Sequence, residues 1–455
     1  MPKIVIVGGG YTGFYTAFKL EKHLRRGEAE VVLIDPLPYM TYQPFLPEVA
    51  AGSIEARHVV VPLREHLTRT RVITARVTGI NHQAKEVTIT PEVGEPFTES
   101  YDHVVITAGA VSRTFPIPGV ADVAIGMKSI EEAIAVRDRL IDNMHLAAHL
   151  PAGPVRDRLL TVVVVGGGFA GIEVFAELRS LATHMLKQLP GLTIDDTHFH
   201  LVEAMDRIMP EVSLKTSKWV IENLERRQAH IHLNTQLISA VDGNIELSNG
   251  MTMQTDLVVW TAGVKAHSML GGSGVPLDDR ERITAGADLR VRNGEEIIEG
   301  MWTAGDVAAV PDLTGGGVGG YCVPNAQHAV RQGKLMAKNL VAVLRGQEPV
   351  DYRHSNLGAV AGLGLGVGVF QSGPFVLKGF LAWIAHRGYH GLAMPMWERK
   401  FRVFGDWLVQ LFWGRDTASV RKVQKPREFF AEFATRPNAQ PAAKPARPRK
   451  KTAAS

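Results

Sequence analysis

The feature that most constrains this chain is a pattern that occurs in it twice: an apolar strand, a glycine loop, a helical stretch, and a further strand ending in an acid. The first copy runs from Ile4 to Asp35 and the second from Thr161 to Glu203. Each leads to a later strand that closes on Thr-Ala-Gly, at Thr107-Ala108-Gly109 and at Thr261-Ala262-Gly263. A third such ending, Trp302-Thr303-Ala304-Gly305-Asp306, follows the second unit. Strands alternating with helices of this length build parallel sheets with right-handed crossovers and both faces covered.

In Val7-Gly8-Gly9-Gly10-Tyr11-Thr12-Gly13, Gly8 permits a tight turn, Gly10 lets the backbone approach a pyrophosphate, and Gly13 lets the helix pack closely on the strand. The phosphates then sit at a helix N-terminus, where free N–H groups and the dipole favour negative charge. Asp35 ends the next strand, where a carboxylate accepts from the ribose hydroxyls of a bound adenosine. This position in the chain is typical of an FAD site. Gly166, Gly168 and Gly171 repeat the chemistry and lead to Glu203. A carboxylate there accepts from a ribose 2′-hydroxyl and repels a 2′-phosphate, which favours NADH over NADPH, although Arg207 nearby weakens the exclusion. Two dinucleotides are implied, with Ala108, Gly109, Ala262, Gly263, Gly305 and Asp306 as further contacts. Asp306 is placed for the ribityl chain or diphosphate of FAD; an ordinary helix N-cap at the following Val307 turn is the structural reading, and the two can both hold.

The predicted fold class is therefore α/β, with two Rossmann-like domains. Residues 1–115 and 276–345 are expected to form the FAD domain and residues 116–275 an inserted NAD(H) domain. A C-terminal region at 346–425 and a basic, disordered tail at 426–455 complete the expected division.

The balance of 50 Lys+Arg against 46 Asp+Glu gives little support to nucleic-acid binding. One cysteine, Cys322, excludes an internal disulfide and a redox dithiol, so electrons must travel without a cysteine pair. No metal site is expected. The strand at Ile4–Val7 leaves no room for a cleavable leader, so the chain is expected to remain in the cytosol. The uncharged stretch from Leu357 to Leu377 is rich in glycine and suits strands and turns better than a membrane helix.

With both loops and Ala304-Gly305-Asp306, the sequence resembles the two-dinucleotide flavoprotein reductases. Within them it is similar to the type II NADH dehydrogenases, the single-chain NADH:quinone oxidoreductases of membranes. Tyr42-Gln43-Pro44-Phe45-Leu46-Pro47-Glu48 resembles that family's flavin-proximal loop, and Pro324-Asn325-Ala326-Gln327-His328 its Ala-Gln segment, where flavin and quinone meet. The resemblance implies that Pro44 lies near the flavin, that Gln327 lies against it and the quinone head, and that Ala326 leaves space for the ring. Gln332 is a lesser candidate. Glu173 takes the place of a family glutamate near the flavin that orders the nicotinamide or relays a proton; a helix-face carboxylate paired with a base is the alternative. The family's Ile-Gly-Arg segment has no counterpart in Gly358-Ala359-Val360-Ala361-Gly362, which leaves the acceptor open. The resemblance implies transfer of a hydride from NADH to FAD and of two electrons to a menaquinone or ubiquinone, without proton pumping. The competing readings are a reductase of a small rubredoxin- or ferredoxin-type protein, and a flavoprotein that serves as a dinucleotide sensor.

Trp383, Trp397, Trp407 and Trp413 fall close together, and Phe401, Phe404, Leu408, Leu411 and Phe412 recur at helical spacing among Arg399, Lys400, Arg402 and Asp406. Such a helix can lie in the headgroup plane, which predicts a peripheral protein on the cytoplasmic face of a membrane. A helix capping the core or a homodimer interface is the alternative. The basic residues from Lys444 to Lys451 add attraction to anionic lipid, or form a solvated end.

Overall fold

The computed structural model describes residues 1–267, 273–315, 317–354 and 358–419, with Arg427 and Ala431. Apart from Arg427 and Ala431, the expected disordered tail thus lies outside the described residues, as does Leu357 of the glycine-rich stretch.

The strand Lys3–Val7 is apolar throughout, and Ile4, Val5 and Ile6 are wholly buried, as a parallel strand covered on both faces must be. It pairs in parallel with Glu30–Asp35 on one side and His103–Ile106 on the other. The complete first sheet runs Arg290–Asn293, Glu296–Thr303, His103–Ile106, Lys3–Val7, Glu30–Asp35, Arg71–Thr74. Thr303 pairs with Ile106 across nearly two hundred residues of chain, so the third Thr-Ala-Gly strand does return to the first sheet. Between these crossings lies a second, wholly parallel sheet, ordered Ala124–Ile125, Leu257–Trp260, Thr161–Val165, His198–Val202, Ala229–His232. An antiparallel ribbon of Ala110–Ser112 with Val264–Ala266 joins the two passages between the sheets.

Each glycine loop opens a helix, Tyr11–His23 in the first sheet's unit and Phe169–Leu186 in the second's. The helix Ala326–Leu344 packs lengthwise on Tyr11–His23. A Cβ on Gly333 would stand 2.5 Å from the Thr12 carbonyl oxygen, so only glycine allows this approach. Thr12 Oγ1 and Thr16 Oγ1 donate to the carbonyls of Ala329 and Gly333 across the contact. The packing sets the two helix starts, at Gly10 and Asn325, side by side.

Beyond residue 358 the glycine-rich stretch forms the antiparallel strands Ala359–Gly362, Gly368–Ser372 and Phe375–Gly379. The helices Phe380–Ala393 and Trp397–Trp413 follow. No helix among the described residues is long and apolar enough to cross a membrane.

Candidate dinucleotide sites and the acceptor region

The two copies of the repeat match atom for atom in their polar contacts. The Gly9 N–H donates to Asp35 Oδ2 at 2.6 Å, and the Gly167 N–H donates to Glu203 Oε2 at 2.5 Å. The second oxygen of each acid accepts from the residue two positions on, Leu37 at 2.7 Å and Met205 at 2.8 Å. Thr107 Oγ1 donates to the carbonyls of Val7 and Gly8, and Thr261 Oγ1 to those of Val165 and Gly166. A carboxylate oxygen carries two lone pairs, so each acid is held in place and keeps capacity toward a ligand.

The glycines divide by role. A Cβ on Gly13 or Gly171 would meet the carbonyl oxygen of Gly8 or Gly166 at 1.8 or 1.9 Å, whereas a Cβ on Gly10 or Gly168 would meet nothing within 4 Å. Gly13 and Gly171 therefore serve helix–strand packing, and Gly10 and Gly168 keep open space in front of the helix. Gly8 and Gly166 have φ of +102° and +111°, the region that favours glycine. The middle glycines, Gly9 and Gly167, had no role in the sequence reading. A Cβ on Gly9 would stand 3.2 Å from the Asp35 Cβ, and one on Gly167 would stand 2.9 Å from Glu203 Oε2, so both must be bare for the acid to reach the loop.

Gly8, Gly10, Asp35, Ala108, Gly109, Asp306 and Ala326 all line one cavity of about 280 Å³, with Tyr11, Thr12, Gln43, Lys128 and Asn325. Asp306 begins no helix, which removes the N-cap reading. Burial raises the carboxyls of both Asp35 and Asp306 above the ordinary range; the Gly9 and Leu37 N–H groups oppose this at Asp35, and Lys128 opposes it at Asp306. Two partly desolvated carboxylates facing a cavity with two helix N-termini fit a ligand that brings hydroxyl donors and phosphates, as FAD does. Gly305 holds its place by donating to Gln332 Oε1 at 2.8 Å, so the buried Gln332 braces the backbone rather than facing the cavity. Pro44 and Gln327 do not line this cavity. Pro44 is the middle residue of the turn Gln43–Phe45, whose Gln43 side chain reaches the wall instead and donates to the Lys128 carbonyl. Gln327 is the neighbour of Ala326 and donates to the Gly358 carbonyl at 3.4 Å.

At the second loop Gly168 and Gly263 are exposed, Ala262 is half-buried, and Glu203 is buried beneath them. Arg207 donates to the Val212 carbonyl, which turns its guanidinium to the chain rather than to a cofactor phosphate.

Glu173, on the helix opened by the second loop, accepts from the Gly362 N–H at 3.0 Å and stands 3.0 Å from His386 Nε2. Burial acts to lower His386, but Glu173 outweighs it and holds the imidazole above its usual value. One helical turn on, His390 is pushed well below its usual value by burial and by His386. Its Nδ1 lies 3.2 Å from the hydroxyl of Tyr42 in the loop before the cavity. Neither histidine was singled out in the sequence.

The C-terminal helices divide their aromatic residues between two surfaces. Trp397, Phe401, Leu411 and Trp413 are more than 70% exposed, whereas Trp407 is 8% exposed. Trp407 Nε1 and Arg387 both donate to Glu48 Oε2, at 2.8 and 2.9 Å, and the Arg387 guanidinium lies over the Trp383 ring. The reading of all four tryptophans as an interface is corrected here: Trp407 belongs to the core and Trp383 is half-buried against Arg387.

A family model for pyridine nucleotide-disulphide oxidoreductases matches residues 2–333, and the chain belongs to that family. A probable NADH dehydrogenase of Dictyostelium discoideum is 28% identical, covering 92% of this chain and 91% of that protein. The type II NADH:quinone oxidoreductase Ndh of Mycobacterium tuberculosis is also 28% identical, covering 90% of this chain and 87% of that one. Among solved structures, NDH2 from Plasmodium falciparum in complex with NADH superposes with a TM-score of 0.83 at 18% identity, covering 92% of this chain and 99% of that one. That likeness establishes the α/β fold, with its two parallel-sheet units. The disulphide of the family name has no counterpart here, because the lone Cys322 is buried and its thiol is pushed up by burial to about 11.

Proposed function

We propose that this chain is a non-electrogenic type II NADH:quinone oxidoreductase. The observation that carries the reading is the paired cradle, two acid-and-glycine constellations of equal geometry in one chain, the first opening into a cavity beside a second helix start. Relatives aligned along nearly their whole length bear that name.

FAD, when bound, supplies the capacity to accept a hydride and to release two electrons. The chain does the rest. The helix starts at Gly10 and Asn325 take the diphosphate, while Asp35 and Asp306 accept from ribose and ribityl hydroxyls. Gly168 admits the NADH diphosphate, and Glu203 accepts from the adenosine ribose. Ala262 and Gly263 flank it as Ala108 and Gly109 flank the first. Gln327 and Ala326 face the quinone head, and Glu173 with His386 holds a proton near the reacting rings. Residues 1–115 and 276–345 serve as the FAD domain, 116–275 as the NAD(H) domain and 346–425 as the membrane-association region. The exposed row of Trp397, Phe401, Leu408, Leu411 and Trp413 seats the protein peripherally on the cytoplasmic membrane face. A homodimer on the same face is the competing use of that surface.

Anaerobic stopped-flow mixing of the yellow protein with NADH should bleach the flavin band, and a soluble quinone should restore it in a second mixing. Failure of NADH to bleach it rules out the first half-reaction. Recovery with a ferredoxin-type protein but not with quinone transfers the function to the protein-acceptor class.

A further inference from the structure

The strand His198–Val202 carries His198 and His200 two residues apart, and its parallel neighbour Ala229–His232 carries His230 and His232 at the same spacing. Side chains two apart in a strand share a face. The register pairs His200 with His230 and Val202 with His232. Phe199 and Leu201 point into the main core, and Val202 packs with Val163 and Trp260 in the smaller core on the other side. All four imidazoles therefore lie on the smaller core's side of the sheet, at its edge, where His230 is exposed and the others are half-buried. The His200 ring stacks on His230 at 4.9 Å and on His232 at 5.3 Å. His200 Nδ1 and His232 Nε2 are 3.0 Å apart.

We propose that this four-histidine face binds one divalent d-block cation, of the Zn²⁺, Ni²⁺ or Cu²⁺ class, with His200 Nδ1 and His232 Nε2 as its central ligands. An ion with nitrogens at about 2.0–2.1 Å in tetrahedral geometry spaces them by about 3.3 Å, so the observed pair needs to open by only a few tenths of an ångström. Imidazole nitrogens select these ions over Mg²⁺ and Ca²⁺, which prefer oxygen. His230, exposed beside the pair, completes the set by a side-chain rotation, and water takes the remaining position. Glu65, His66 and Glu398 already bring their ligating atoms within 4.8 Å of one another, but they are a poorer candidate, because Arg399 Nε lies 2.7 Å from Glu398 Oε1. The site also touches the nucleotide machinery, since the Glu203 N–H donates to the His232 carbonyl at 2.9 Å. A cation bridging the two strands thus clamps the seat of the acid at the second loop.

The test uses the full-length, flavin-containing protein without a polyhistidine tag. Titration with Cu²⁺, Ni²⁺ and Zn²⁺ should give one site of micromolar order or tighter, and the Cu²⁺ complex should show nitrogen hyperfine structure in its electron paramagnetic resonance spectrum. His200→Gln and His232→Gln should each weaken binding by at least about tenfold, since even groups behind the ligands typically contribute that much. Metal-free NADH oxidation should be unchanged in His230→Gln. His230→Gln, at an exposed position, gives a third reading should His200→Gln fail to fold. Absence of a stoichiometric site, or binding that persists undiminished in His232→Gln and His230→Gln, overturns the proposal.

Discussion

Gly10 and Gly13 stand three residues apart, and an added methyl group would meet opposite surroundings at each. At Gly13 it would lie 1.8 Å from the Gly8 carbonyl oxygen, so the loop must move. Overpacking of that kind costs about 1–3 kcal/mol, and Gly13→Ala should lower the denaturation midpoint as well as release FAD. At Gly10 the methyl would stand in open space, so Gly10→Ala should purify without its yellow colour yet unfold at the midpoint of the FAD-stripped wild type. Urea unfolding and the ratio of flavin to protein absorbance separate the two, and full retention of FAD by Gly10→Ala would falsify the cradle assignment. Glu173 offers a second residue-level test. His386 is raised by Glu173 above the ordinary 6.5, so the pair's contribution to stability is full below that value and is lost as pH rises through the folded-state value. The stability gap between wild type and Glu173→Gln should therefore be widest below about pH 6.5 and narrow as the pH rises above it. A gap that widens with pH contradicts the ion pair.

Among elements, the C-terminal helices and the segment just after them are tied by buried charge to the short helix Leu46–Ala50 and to the helix Phe169–Leu186. Arg387 and Trp407 converge on Glu48, Gln410 donates to Ser53, and Arg415 bonds both Ser53 and Glu177. Removing one member of a buried pair leaves the other charge uncompensated, at a cost of about 3–5 kcal/mol, whereas removing both is far milder. Arg387→Met should accordingly destabilise strongly, and Arg387→Met with Glu48→Gln should recover most of the loss; urea unfolding of the four proteins of the cycle measures it. Independent, additive effects would show that the pair does not act as a unit. None of this was visible in the sequence. Strand–loop–helix periodicity is local, so both glycine loops, their acids and the glycine-rich strands after residue 358 could be read directly. The partner of Glu48 lies 339 residues away, and that of Glu173 more than two hundred. Trp407 has the same composition and spacing cues as its exposed neighbours, and only packing tells them apart. Gly9 and Gly167 escaped notice for a related reason, since their need to be bare arises from an acid that arrives from the next strand.

For the whole molecule, a surface that the cavity leaves unexplained is the row of aromatic and aliphatic side chains along Phe380–Ala393 and Trp397–Trp413. Phe380, Leu381, Leu392, Trp397, Phe401, Leu408, Leu411, Phe412 and Trp413 are each more than half exposed, a density that solvent does not favour. Burying one such side chain fully contributes about 1.5–3 kcal/mol, so insertion of only a few offsets the cost of immobilising the protein on a bilayer. The polar side of the last helix is already engaged with the body, through Asp406 on His58 at 2.6 Å and Arg399 on the Arg57 carbonyl, so the helix cannot roll its apolar side inward. That orientation makes the surface separable from catalysis. A variant with Phe401→Ser, Leu408→Ser and Phe412→Ser should keep its flavin and reduce a water-soluble quinone at the wild-type rate, because none of the three touches the cavity. It should fail to sediment with lipid vesicles and should lose turnover with a long-chain quinone confined to them. If the face joins two copies instead, the wild type will be dimeric without lipid, the variant will be monomeric, and vesicle binding will be weak in both. Sedimentation equilibrium alongside the vesicle assay decides between a lipid surface and a second copy.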